Sequence, residues 1–192
     1  MSGANDIEEL VTRAKAGDAG AFGALYEQYA ARVLRFLLAR VQEPADAEDL
    51  LQRVFLKVIE ALPRYEQRGF PFGAWLFRIA GNAAIDFHRV DRNPIPMERA
   101  SDRLGDAHDP TRIVEAAEER ATIRSALAVL SADQRDVLLY RFFAALSPAE
   151  IGALMGKREG AIRALQFRAL ERLRDADSVR ALGAALALEG TA

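Results

Sequence analysis

Not one cysteine occurs in the 192 residues, which excludes disulfides and thiolate metal sites, and the two isolated histidines, His88 and His108, do not make a zinc site by themselves. No apolar run approaches the roughly 18 residues that a membrane span needs. The N-terminal stretch "MSGANDIEELVTRAKAGD" has neither the basic start nor the apolar core of a signal peptide. The expectation is a soluble, unprocessed, cytoplasmic protein with no membrane insertion. A Gly-rich phosphate loop and a His-Glu-x-x-His pattern are missing too, and the scattered acids read as helix caps and surface charge. These absences speak against an enzyme, and nothing in the sequence requires a cofactor.

What remains is helix-forming usage. Apolar residues make up 51% of the chain, Ala and Leu are prominent, and Gly and Pro seldom interrupt the periodic stretches. The fold class expected is all-α, as two small helical domains joined by a flexible linker, because the length allows two modest cores. Asp18 caps a helix whose apolar stripe runs through Phe22, Leu25, Tyr26, Tyr29, Val33, Phe36 and Leu37. A second stripe, Leu51, Val54, Phe55, Val58, Ile59 and Leu62, ends at Pro63, with Asp46, Glu48 and Asp49 at the positive end of the helix dipole. After the loop "RYEQRGFPFG", helical spacing resumes through Trp75, Leu76, Ile79, Ala83 and Phe87.

The first unit is therefore placed at residues 1–93. Periodicity then disappears while Pro, Gly and Asp accumulate, which marks 94–110 as a flexible acidic connection. From Ser101 to Glu119 there are six acids against two arginines. A second unit spans 111–176, and 177–192 is a tail. Asp109 and Pro110 open a helix running to about Leu130; Ser131 with Gln134, and Ser147 with Glu150, make capping boxes, with Pro148 at the favoured first position. Gly156 falls where the next turn needs positive φ, and Ile162, Leu165, Ala169 and Leu173 give the following helix its inner face.

Three stretches stand out. A short capped helix, a Gly-containing turn and a longer helix in "SPAEIGALMGKREGAIRALQFRALERL" fit helix-turn-helix geometry. The charge from Ser147 to Arg174, six basic residues against three acids, favours DNA over a plain helical corner. Arg163, Phe167 and Arg168 would reach groove or backbone, and Lys157, Arg158 and Arg172 would meet phosphates. In "RYEQRGFPFGAWLFRIAGNAAIDFHR", Phe72, Trp75 and Phe77 beside Arg78, Asn82 and Arg89 form either a surface for unstacked bases or, for Trp75 the favoured reading, core. Asp49, Gln52, Arg53, Lys57 and Glu60 lie off the second apolar stripe, as a solvated face or a protein-docking one. A conventional helix-turn-helix regulator with a sensing half, or a structural adaptor, would also use such parts.

The three stretches, in this order, resemble the extracytoplasmic-function RNA polymerase sigma factors, the small two-domain members of the sigma-70 family. "AFGALYEQYAARVLRFL" looks like the start of their region two, and "DAEDLLQRVFLKVIEAL" is similar to its polymerase-binding helix. "FGAWLFRIAGNAAIDFHR" resembles the promoter-melting segment, at Phe72, Trp75, Leu76, Ile79, Ala80, Asn82, Asp86 and Arg89. "LSADQRDVLLYRFFAALSPAEIGALMGKREGAIRALQFRALERL" looks like region four. The resemblance implies a factor that binds core RNA polymerase through the β′ clamp coiled coil and the β flap, recognises promoter DNA and opens it without nucleotide hydrolysis. By position, Asp49, Gln52 and Arg53 bind the core, although relatives often carry an acid where Arg53 stands. Glu66, Arg68, Phe70, Arg78, Asn82 and Arg89 meet the minus-ten element. Lys157, Arg158, Arg163, Ala164, Phe167, Arg168 and Arg172 meet the minus-35 element. Ala164 and Leu165 stand where a Ser-Arg pair is common, so promoter preference does not transfer from relatives. The acidic connection corresponds to the family's linker toward the polymerase active site, and an anti-sigma protein is an expected partner. A net charge of −2 suits a factor that grips DNA only within the holoenzyme.

Overall fold

The computed structural model describes residues 2–66, 71–91 and 121–175, and every regular element among them is helical. The acidic connection at 94–110, the helix start at Asp109 and Pro110, the tail at 177–192, and Arg68 and Phe70 lie outside the described residues.

In the first unit, α1 (Ser2–Lys15), α2 (Ala19–Leu38), α3 (Pro44–Ala61) and α4 (Phe72–Asp91) pack on one another, with a 3-10 turn at Leu62–Arg64. Local chemistry sets the boundaries. Asp18 accepts from the Ala21 N–H at 3.0 Å, and its carboxylate also takes the Arg13 guanidinium at 2.7 Å. Those two partners, the amide first, hold its pKa below the ordinary aspartate value. Pro44 occupies the first turn of α3, and Pro63 stands inside the 3-10 turn that follows it.

The core of this unit holds Leu25, Val33, Phe36, Leu37, Val54, Val58, Leu76 and Phe77. Its aromatic rings meet edge to face, Phe36 with Phe77 at 5.3 Å and Tyr29 with Phe72 at 5.5 Å. Burial raises the pKa of the Tyr29 phenol. Two residues placed on the inner stripes by spacing face water instead: Tyr26 is 41% exposed and Ile59 50%. Each stripe is wider than the strip of helix that its neighbours cover, so its edge residues are left outside. Helix α1 was not expected, yet Val11 is buried in the core with Ile7, Leu10 and Ala14 packed beside it.

The second unit comprises α5 (helical residues 121–128), α6 (Ala132–Phe142), α7 (Pro148–Met155) and α8 (Glu159–Asp175). Both capping boxes form: Ser131 with Gln134 and Ser147 with Glu150 exchange side-chain and backbone bonds, and Pro148 opens α7. Gly156 ends α7 in the left-handed region at φ 64°, where a side chain would be strained. Val137, Leu139, Ile151, Ile162, Ala169 and Leu173 close the core between α6, α7 and α8.

The two units touch. Tyr140 of α6 lies against Phe36 of α2, with ring centroids 5.4 Å apart, and Arg40 bonds Asp136 at 2.8 Å.

Candidate polymerase and nucleic-acid interfaces

On α8, the buried residues Ile162, Ala169 and Leu173 turn one side inward, so Arg163, Ala164, Phe167 and Arg168, at three- and four-residue steps, share the side facing water. Phe167 is 63% exposed, far more than packing would leave it. Three residues separate this helix from the end of α7, so Arg163 stands within about one turn of its start, where a helix set into a major groove presents its readers.

The turn is tight because of Gly152. A Cβ there would meet the Lys157 carbonyl oxygen at 2.6 Å, and the Gly152 carbonyl accepts from the Lys157 N–H at 2.8 Å. Sequence spacing singled out Gly156 and missed Gly152; the small residue in the middle of α7, one turn before the αL glycine, was the available signal.

The basic residues around this face differ in freedom. Arg163 pairs with Glu159 one turn earlier at 2.5 Å, and Lys157 with Asp133 at 3.0 Å. Arg168 donates to the Ala164 carbonyl at 3.2 Å. Arg172 reaches back to the Val129 carbonyl and to Gln134 Oε1, both at 3.4 Å, so it braces α8 against the α5–α6 corner. Arg158 is exposed, and its carbonyl accepts from the Ala161 and Ile162 amides in the first turn of α8.

On α4, Arg78, Asn82 and Arg89 are all exposed and follow one line along the helix, with Ile85, 58% exposed, between the last two. Arg89 lies 3.5 Å from Asp86. The line is backed by Phe77, Ala80 and Ala84 in the core. Trp75 is half-buried against Tyr65 and Phe72, with centroids at 4.7 and 5.6 Å, which supports its reading as core. Tyr65 also receives the Lys15 ammonium on its carbonyl at 2.5 Å, so α1 and the aromatic cluster anchor the chain just before residues 67–70. Glu66 is exposed beside them.

On α3, Asp49, Gln52, Arg53, Lys57 and Glu60 are exposed as expected, and Leu56 and Ile59 join them at 59% and 50%. Apolar side chains at the centre of a polar helix face mark a docking surface better than charge does. Three surfaces thus stand on three helices: an apolar-centred one on α3, a mixed polar and apolar line on α4, and a basic one with an exposed aromatic on α8. No group of side chains suited to hold a metal ion occurs among the described residues, and no helix there is long and apolar enough to cross a membrane.

Two family models match the chain in succession. The family model "Sigma-70 region 2" matches residues 25–93, and "Sigma-70, region 4" matches 126–175. The ECF RNA polymerase sigma factor BldN of Streptomyces coelicolor is 38% identical over 169 residues, covering 86% of this chain and 63% of its own length. The ECF RNA polymerase sigma factor SigD of Mycobacterium tuberculosis is 36% identical over 176 residues, covering 88% of this chain and 82% of its own. CnrH, solved in complex with the cytosolic domain of CnrY, shares the fold at a TM-score of 0.69 and 24% identity, over 88% of this chain and 96% of that one. With both sigma regions in order along a helical chain, and a relative similar over most of its length, this chain belongs to the sigma-70 family, in its extracytoplasmic-function group.

Proposed function

We propose that this chain is an alternative sigma factor: in the cytoplasm it binds core RNA polymerase, recognises the minus-35 and minus-ten elements of a promoter and promotes DNA melting for transcription initiation. The carrying observation is that separate helices of one chain expose a docking face on α3 and DNA-compatible faces on α4 and α8. In this reading residues 1–93 act as region two, 94–110 as the linker, 111–176 as region four and 177–192 as a tail.

Asp49, Gln52 and Arg53 surround Leu56 on α3, and together they make the contact with the β′ clamp coiled coil; region four meets the β flap. Dry burial of Leu56 and Ile59 supplies affinity and the surrounding charges supply orientation. Arg78, Asn82 and Arg89, with Glu66, Arg68 and Phe70 of the preceding loop, take up the unstacked non-template strand. Unstacking a base costs about a few kcal/mol, and a surface already formed offsets part of it, so opening needs no nucleotide hydrolysis. Arg163, Ala164, Phe167 and Arg168 read the minus-35 duplex, with Lys157, Arg158 and Arg172 near phosphates. An anti-sigma protein belongs to the proposal on family grounds alone.

Run-off transcription with purified core polymerase tests the reading. The native chain is expected to start RNA at a cognate promoter only when core is present, and Asp49→Arg to lose core association while keeping its helical circular dichroism. Tight operator binding by the isolated chain, with no association with core, would overturn it.

A further inference from the structure

Tyr65 is held by its N–H, by its ring and by its carbonyl, and the last of these holds comes from a helix outside the three surfaces. The N–H donates to the Leu62 carbonyl at 3.0 Å, closing the 3-10 turn. The ring is buried against Phe72 and Trp75, with centroids at 5.9 and 4.7 Å. The carbonyl accepts from Lys15 Nζ at 2.5 Å, between residues 50 apart in sequence. Lys15 ends α1, a helix that is itself fixed by Val11 in the core and touches both the 3-10 turn and α4.

These holds fix different things. The turn bond sets where the Tyr65 backbone begins, and the ring contacts set its side chain. Neither sets the plane of the peptide group that leads to Glu66, which turns about ψ of Tyr65, here extended at 126°. Because a peptide group is flat, an ammonium seated on the Tyr65 oxygen also fixes the opposite direction, that of the Glu66 N–H. It thereby fixes the course on which Glu66 leaves the aromatic cluster. Hydrogen bonds from a cation are among the stronger kinds. Glu8 stands about two turns before Lys15 on the same side of α1. Burial first, and then the nearby Glu8 carboxylate and Tyr29 phenol, raise the Tyr65 phenol above the ordinary tyrosine pKa, so α1 meets both ends of this residue.

Lys15 adds little to the core, for it is exposed and the Val11 face of α1 packs without it. What its bond orders is a peptide group beside a residue assigned to the minus-ten element. Order imposed before binding removes its entropic cost from the binding step.

We propose that Lys15 is a positioning residue for promoter opening: through the Tyr65 carbonyl it orients Glu66 toward the unstacked non-template strand, without itself contacting that strand. This role rests on the sigma-factor reading and extends it to α1.

Initiation by the full chain with core polymerase is measured on a cognate promoter, both as duplex and with the minus-ten region already unpaired. A fluorescent adenine analogue in the non-template strand reports unstacking. Lys15→Met keeps a long side chain and good helix preference while removing the cation. It is expected to lower duplex initiation by roughly three- to tenfold and to weaken the unstacking signal, with core association and helical circular dichroism retained. The unpaired template should recover most of the loss, and Lys15→Arg should keep native behaviour on the duplex. In a double-mutant cycle, Lys15→Met should cost little once Glu66→Ala is present, because both act at one place. Equal losses on the two templates overturn the positioning role, as do losses additive with Glu66→Ala, the result a direct phosphate contact would give. Native activity in Lys15→Met also overturns it and leaves the sigma-factor reading standing. A native chain that starts no RNA with core overturns both.

Discussion

The exposed faces of α4 and α8 are put in place by opposite means. The α4 line runs through a 20-residue helix whose other side is locked by large rings, Phe36 on Phe77 and Tyr65 on Trp75. The α8 face begins just past a three-residue turn that depends on two glycines, Gly152 and Gly156, at the end of a helix opened by a capping box. One surface takes its rigidity from core volume, the other from backbone detail. A line along the side of a braced helix suits contact with successive nucleotides of a strand. A face near a helix start suits insertion into a duplex groove.

That contrast can be broken by experiment. The largest effect is expected for Arg163→Ala combined with Arg168→Ala: under the proposed reading, losing two base contacts at about 1–3 kcal/mol each lowers initiation from a duplex promoter by roughly 100-fold. Opening the minus-ten region beforehand should not restore it, and full restoration would show that the two faces share one task. Next comes Gly152→Ala. Its Cβ would meet backbone at 2.6 Å, and the α7–α8 turn should lose about 1–3 kcal/mol, seen as a lower thermal midpoint of the second unit. Gly23→Ala in α2 meets nothing within 4 Å and should gain up to about 1 kcal/mol. Equal losses at the two glycines would contradict the division between core volume and backbone detail. Asn82→Ala carries the smallest effect, roughly fivefold on initiation for a lost hydrogen bond worth about 1 kcal/mol. A template already open at minus ten should recover it.

What could be read in advance follows the same division. The caps at Asp18, Ser131 and Ser147, the proline at 148 and the αL glycine at 156 are local chemistry, decided within four residues, and each sits where spacing put it. Helix α1 is absent from the expected elements although Ile7, Leu10, Val11 and Ala14 hold helical spacing. Tyr26 and Ile59 were placed inside because periodicity gives a stripe's centre but not how much of its width a neighbour covers. The exposed faces were legible as residue lists. Their internal competitors, Glu159 for Arg163 and Asp133 for Lys157, needed coordinates in one case and a helix register in the other. The pairing of Arg40 with Asp136 had no sequence signature, since the partners stand 96 residues apart.

Leu56 and Ile59 bear on supply. Each free copy holds two branched side chains about half in water, and covering the exposed part of each releases about 1 kcal/mol. Copies made in excess of their partner therefore carry a sticky spot with nowhere to put it, and self-association or capture by proteases and chaperones becomes steeper with concentration. Under the sigma-factor reading, expression beyond the supply of core polymerase is expected to raise self-association, and sedimentation of the free chain against concentration measures it.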